Sequence, residues 1–270
     1  MCRCLSVKPS SYYMWKKRGP SKRSIEDARI LRKIEELHKD SEMKKYGSPR
    51  LTPELKELGF TCGMNRVARI MRENGIRAYI ARKHKYKQQK NSENHIAENI
   101  LNRNFSWDNI DQAWATDITF IPTDSGWSYL CMFLDLCSRK IVGWSISSNP
   151  NTDLVLDALT MAVRHRNPKK GLLIHSDQGC QYTSIRYREY LKSNGFTQSM
   201  SRRGNCWDNA CAESFFCHLK QDVIFENRFS TVADVELTVF NYIEGYYNRR
   251  RRHSSCGFLS PMNYEKKLAA

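Results

Sequence analysis

Between residues 115 and 147 the chain carries three runs at hairpin spacing, and no other feature restricts its fold as strongly. Residues 115–121, 129–135 and 140–147 read as strands. Asp124-Ser125-Gly126 and Cys137-Ser138-Arg139 between them are turn formers. After them the texture becomes an alternation. Residues 152–166 read as a helix capped by Thr152, with Leu154, Leu156, Ala158, Leu159, Ala162 and Val163 apolar. Leu172-Leu173-Ile174 is a short buried strand, 187–194 a helix ended by Gly195, and 197–200 a last strand. A polar loop follows, then helices at about 209–224 and 232–248. Three hairpin-linked strands followed by alternating helices and strands predict an α/β domain, a mixed five-stranded sheet with flanking helices.

The chain before this domain is different in charge. Of a formal net charge of +16, residues 1–90 hold 24 Lys and Arg against 9 Asp and Glu, while residues 91–270 hold 20 against 19. The front third is therefore the electrostatic handle for a polyanion, nucleic acid or an acidic surface. Residues 24–38 read as an amphipathic helix with a capping-box pattern at Ser24 and Asp27, and Ile30, Leu31, Ile34 and Leu37 on one face. Tyr46-Gly47-Ser48-Pro49 breaks it. The next 25 residues have a helix-turn-helix pattern. Thr52 caps a short helix with Pro53 at its first position and Gly59 closes it; a second helix runs from about Gly63 to Asn74. Met64, Val67, Ala68 and Met71 form its inward face, leaving Arg66, Arg69 and Arg72 for phosphates or base edges in a major groove. A plain helical hairpin has the same pattern. Arg82, Lys83, Lys85, Lys87 and Lys90 mark a basic linker. The expected organisation is an all-α helix-turn-helix region at 1–79, the linker at 80–104, and the α/β domain at 105–270.

Three acids stand out by position. Asp117 lies mid-strand, Asp177 follows directly on an apolar strand, and Glu213 falls in the first turns of a helix. A carboxylate on a central strand is costly unless paired or metal-bound, and a strand's C-terminal end is where open α/β sheets place ligands. Each acid alone has a bland alternative, as a strand-edge residue, a turn former or a solvated helical position. Hard oxygen ligands without clustered His or Cys suit Mg²⁺ or Mn²⁺ rather than zinc. Cys206, Cys211, Cys217 and His218 are dense, but match no zinc-finger spacing. No window approaches 18 consecutive apolar residues, Met1–Lys17 has no secretory apolar core, and the ten cysteines are scattered. A cytoplasmic protein with reduced thiols and no membrane association is the expectation.

The stretch Ser201-Arg202-Arg203-Gly204-Asn205-Cys206-Trp207-Asp208-Asn209-Ala210, then Glu213-Ser214-Phe215-Phe216 and Leu219-Lys220, resembles the signature of the OrfB transposases of two-frame bacterial insertion sequences. So do Trp114-Ala115-Thr116-Asp117-Ile118-Thr119 and His175-Ser176-Asp177-Gln178-Gly179-Cys180-Gln181-Tyr182. Asp177 and Glu213 are separated by 35 residues, as in that family, and Lys220 matches its basic residue seven positions after the Glu, on the same helical face. The similarity extends to Tyr246-Tyr247-Asn248, His253, Ser260-Pro261 and Tyr264, and upstream to Tyr46-Gly47-Ser48-Pro49-Arg50 and Val67-Ala68-Arg69-Ile70-Met71. It implies a ribonuclease-H-like, retroviral-integrase-like core in which Asp117, Asp177 and Glu213 bind two Mg²⁺ ions, with Mn²⁺ as a substitute and Asp117 bridging both.

The implied activity is polynucleotidyl transfer. Water cleaves a phosphodiester at the element's end, and the freed 3′-hydroxyl attacks a second phosphate. In this family that attack first joins the element's two ends, and the resulting circle is later inserted into a target. Lys220 would hold a terminal phosphate, and Arg202, Arg203, Arg249 and Arg250 would contact DNA, the run to Arg252 tracking the backbone. The implied partners are the element's terminal repeats, target DNA, further copies of the chain on DNA, and an upstream-frame protein or fusion region. Without that region the chain is expected to be inactive or partly active. Two rival readings follow from the same residues, a non-catalytic DNA binder and a stand-alone nuclease such as a ribonuclease H. Strand joining from a supplied 3′-hydroxyl end separates nuclease from transposase.

Overall fold

The computed structural model describes residues 8–78 and 96–270 and divides into two units, Met1–Tyr79 and Ile80–Ala270. The basic stretch 80–90 lies outside the described residues.

The first unit holds helices α1 (Pro9–Lys17), α2 (Lys22–Leu37), α3 (Ser48–Glu57) and α4 (Met64–Glu73). Ile30 and Ile34 of α2, Leu51 and Leu55 of α3, and Val67, Ile70 and Met71 of α4 form its buried interior. Several boundaries differ from the sequence expectation. Helix α2 is capped by Ser21, whose hydroxyl accepts from the Ser24 amide at 3.1 Å. Helix α3 starts at Ser48, with Pro49 in the first turn where a missing N–H costs nothing. Thr52 is therefore inside the helix, its hydroxyl donating to the Ser48 carbonyl at 2.7 Å. The inward face of α4 is Val67, Ile70 and Met71. Met64 and Ala68, expected inward, are exposed, and Ile70 is buried, so the inward face is turned toward the Ile70 side of Val67.

The second unit is one five-stranded sheet with strands β1 (Ala113–Thr123), β2 (Gly126–Asp135), β3 (Ile141–Ser147), β4 (Leu173–Ser176) and β5 (Thr197–Met200), in the order β3-β2-β1-β4-β5. β1–β2 and β2–β3 are antiparallel; β1–β4 and β4–β5 are parallel. Opposed residues share a face, so the pairings Thr116↔Phe133 and Phe133↔Gly143 define one side, and Asp117↔Met132 and Met132↔Trp144 the other.

The first side packs on helices α5 (Thr152–Arg166) and α7 (Ile185–Asn194), with the short α6 (Cys180–Thr183) between β4 and α7. Its core includes Trp114, Phe133, Val142, Leu159, Tyr187 and Leu191. Gly143 lets α5 approach closely, since a Cβ there would lie 2.4 Å from the Ala158 carbonyl oxygen. α5 begins where expected, but its cap is Asn151, which accepts from the Leu154 amide, and not Thr152. The second side is covered by α8 (Ala210–Asp222) and α9 (Val232–Phe240), followed by a π-helical turn, Asn241–Tyr247. Trp144 meets the Phe240 ring and donates to Glu244 at 3.2 Å. A last helix, α10 (Pro261–Ala269), ties back through Glu265 to Lys140 and Arg166. The α/β fold with a mixed five-stranded sheet and flanking helices is the one expected.

Residues 97–104, expected as linker, are part of this unit. Leu101 is buried, and the amides of Ile100 and Leu101 donate to the Ser199 hydroxyl. Among the described residues no helix is long and apolar enough to cross a membrane.

Candidate active site

The register places two aspartates at one level. Parallel pairing of β1 with β4 runs from Ala113↔Leu173 to Ala115↔His175. Asp117 and Asp177 both follow two residues beyond that last pair, Asp117 within β1 and Asp177 just past the end of β4, the neighbouring strand, and paired strands run about 4.8 Å apart. Asp117 points to the side covered by α8, and Glu213 stands in the first turn of that helix. Asn209, just before α8, is buried and donates from Nδ2 to the Thr116 carbonyl at 3.1 Å, fixing the helix start against the residue before Asp117.

The electrostatics link the same residues. Burial pushes the Asp117 carboxyl well above its ordinary range, and the nearby Asp177 and Glu213 charges push it further. The Ile118 amide, donating at 2.8 Å, and the Lys220 ammonium act the other way. Burial raises Asp177 too, against the Gly179 amide at 2.9 Å. Burial and the Asp177 charge raise Glu213. Lys220, two turns along α8 from Glu213, is half-buried; burial lowers its pKa while Asp117 opposes this. Among the described residues no three His, Cys, Asp or Glu side chains form a ready-made metal cage. Asp117 and Asp177 instead turn one oxygen each to a neighbouring backbone amide, as crowded like charges do. Gly179 leaves room for this bond, because a Cβ there would lie 3.0 Å from Asp177 Oδ1, which would have to give way by a few tenths of an ångström.

A second acid organises the loop between β5 and α8. Asp208 is fully buried, and its oxygens accept from Arg202 Nε and Nη2 and from Arg103 Nε, each at 2.8 Å. Asn99 Nδ2 and the Arg202 amide add bonds at 3.0 Å. The Arg202 guanidinium holds this carboxyl far below the usual range against its burial, with Arg103 adding to the effect. Below it, buried His175 bridges Ser199 through Nδ1 at 2.9 Å and Ser201 through Nε2 at 3.1 Å; burial pulls its pKa down to about 4, so it is neutral.

Comparison with known proteins gives a consistent picture. Profiles described as integrase core domain match residues 109–206 and 194–261, and one described as HTH-like domain matches 24–84. The transposase InsF of insertion sequence IS3A from Escherichia coli K12 is 40% identical over 278 residues, spanning 100% of this chain and 94% of that one. The chain belongs to the IS3-type insertion-sequence transposases. Also similar is a 31 kDa protein of insertion element IS600 from Shigella sonnei, 36% identical over 99% of this chain and 98% of that one. Among solved structures, a chain of the simian T-cell lymphotropic virus intasome aligns at a TM-score of 0.48 with 14% identity, covering 86% of this chain and 74% of that one. The family membership makes this α/β unit an integrase core and the protein a transposase of the polynucleotidyl transferase class.

The basic residues expected to meet DNA fall into two groups in the transposase. Arg66 and Arg69 are tied to α2. Arg66 Nε donates to Asp27 Oδ1 at 2.7 Å and Nη2 to Glu26 at 3.1 Å; Arg69 reaches Asp27 and, at 2.7 Å, Glu73. Burial raises the Asp27 carboxyl, and Arg69 and Arg66 more than reverse it. Arg202 is likewise committed to Asp208. Arg72, Arg203, Arg249 and Arg250 are exposed. Arg251, expected to track a backbone, is 1% exposed instead; its Nε stands 3.8 Å from Asp222 and its guanidinium over the Tyr247 ring. The roles of Asp208, Arg103 and Asn99 escaped the sequence reading, because partners more than a hundred residues apart leave no periodic trace.

Proposed function

We propose that Asp117, Asp177 and Glu213 are the metal-binding catalytic triad of this transposase, and that it cuts and joins DNA at the ends of its element. What supports the reading is the equal level of Asp117 on β1 and Asp177 just past the end of the neighbouring β4, with Glu213 delivered from the helix covering the same side. The donor set fits a hard divalent cation, since the acids offer only oxygen, and burial together with their mutual repulsion raises their pKa values, a cost that such a cation would offset. Asp117, Asp177 and Glu213 would hold two Mg²⁺ ions, with Mn²⁺ as a substitute. Such ions supply the charge that activates an attacking oxygen and stabilises a leaving one.

The remaining work falls to the chain's own groups. Lys220, close enough to Asp117 to sense its charge, is suited to hold the phosphate beside the reacting bond. The helix-turn-helix unit carries 18 Lys and Arg against 9 Asp and Glu over residues 8–78, and binds DNA through its charge. Arg72 lies on the open face of α4, and Arg203, Arg249 and Arg250 are exposed cations for phosphate contact. Arg66 and Arg69 hold α4 in place, and Arg202 holds the catalytic loop. The substrates are the element's terminal repeats and a target duplex. Two ends must be brought together, so the working form is an oligomer on DNA, with an upstream-frame protein or fusion as a further partner. The setting is the bacterial cytoplasm, at the nucleoid.

The test is Mg²⁺-dependent cleavage and joining on duplexes bearing the element's ends, wild type against Glu213→Gln. The exchange preserves size and removes a ligand charge, so both reactions are expected to fall to background while DNA affinity stays within about twofold, because that affinity is mainly a matter of phosphate contacts. Full strand transfer by the variant would overturn the triad.

A further inference from the structure

Trp207 has no place in the chemistry above, yet its setting is unusual. Its side chain is 70% exposed, the second most exposed large apolar side chain of the described residues after Met14. An exposed tryptophan on a mobile loop would mean little. This one is pinned on both sides. Asn205 accepts from Arg103 Nη2 at 3.0 Å, and Asp208 is held by Arg202, Arg103 and Asn99. Asn209, two residues on, bonds the Thr116 carbonyl next to Asp117. Glu213 is six residues further along the chain. The indole is thus presented by a fixed loop beside the acids, without being used to hold that loop together.

We infer that Trp207 is a stacking platform for a nucleobase at the reacting DNA end. The inference rests on the strand-transfer reading above. Arg202 and Arg203 flank the loop, and Arg202 is half-exposed even while paired with Asp208. A cationic rim around an exposed indole suits a polyanion that also offers flat aromatic faces, which describes nucleic acid. Within an intact duplex both faces of each base are covered by stacking. Trp207 can therefore act only on a base that has left the stack, and the pair next to the cut phosphodiester is the one that opens at least cost. Trp207 is accordingly a positioning residue. It holds the end open so that the freed 3′-hydroxyl reaches Asp117, Asp177 and Glu213.

The experiment uses the full chain and a duplex ending in the terminal repeat of the element that encodes it, with 5-iodouracil replacing single bases near the end. Irradiation should cross-link one terminal position to the peptide carrying Trp207, and Trp207→Ala should abolish the adduct. On a paired end Trp207→Ala should lower joining about tenfold or more, the loss expected for one base–aromatic stack, while Trp207→Phe keeps most of it. A mismatch at the terminal pair, which opens the end in advance, should restore the alanine variant. The residue is exposed, so an unchanged melting temperature for Trp207→Ala checks the fold. Wild-type joining with an unaffected alanine variant and no adduct would sink the stacking role alone. So would a change of oligomeric state without DNA in Trp207→Ala, which would assign the indole to a second copy. Wild type that neither cleaves a flanked end nor joins a free one, even with the upstream-frame protein supplied, would remove the strand-transfer reading, and this inference with it.

Discussion

Asp117 is charged only at a cost in the metal-free protein. Its folded pKa lies above the ordinary carboxylate range, so the fold binds its proton more tightly than the unfolded chain does. Whatever stability this contributes is present at low pH and is lost as pH rises through the raised value. The opposite sign would hold for a salt-bridged acid such as Asp208. Asp117→Asn removes the penalty. At neutral pH with chelator present, the variant should melt above wild type by on the order of 1 kcal/mol, roughly 2–4 °C for a unit of this size. Adding Mg²⁺ should raise the wild-type melting temperature and leave the variant unchanged. A differential scan with and without Mg²⁺ reads both effects. A variant that melts below wild type in chelator would mean the carboxylate is already compensated.

Helix α4 shows what an isolated helix can and cannot reveal about itself. Its limits were legible from Gly63 and the Asn74-Gly75 stop, and its arginines from plain inspection. Their use was not, because Asp27 lies about 40 residues upstream on α2 and was itself readable as a cap. Asp27→Ala should cost the first unit about 1 kcal/mol through the Arg66 pair, after allowance for solvent screening. It should also weaken DNA binding by tilting α4, whereas Arg72→Ala should weaken DNA binding with no loss of stability. Thermal melts and a filter-binding titration separate the two; equal melts for Asp27→Ala and wild type would deny α2 its bracing role. The sheet was more legible than the helical unit. Strand alternation and turn residues fixed β1, β2 and β3 to within a few residues, and Thr197–Met200 came out as expected. Asp117, Asp177 and Glu213 stood out because each falls at a marked point of such an element. Caps were read less well, since Ser21 competes with Ser24, and Asn151 with Thr152, at one residue's or one turn's distance.

Across the second unit, the loop that carries Trp207 and leads to Glu213 is held from a distance. Arg103 and Asn99 reach Asp208 across more than a hundred residues of sequence, and Leu101 fills the core beside them. The charge and strand pattern would start the domain at residue 105. A fragment begun there should lose at least about 3 kcal/mol relative to one begun at 96, from the missing leucine burial and the charged hydrogen bonds. Urea unfolding of the two fragments measures this, and equal midpoints would show the segment to be dispensable. The consequence reaches beyond stability. Recombination that swaps front ends between related elements, with its crossover after residue 104, would inherit a catalytic domain whose loop has exchanged half of its moorings for foreign ones. Crossovers upstream of 96 would pass the whole working part on intact.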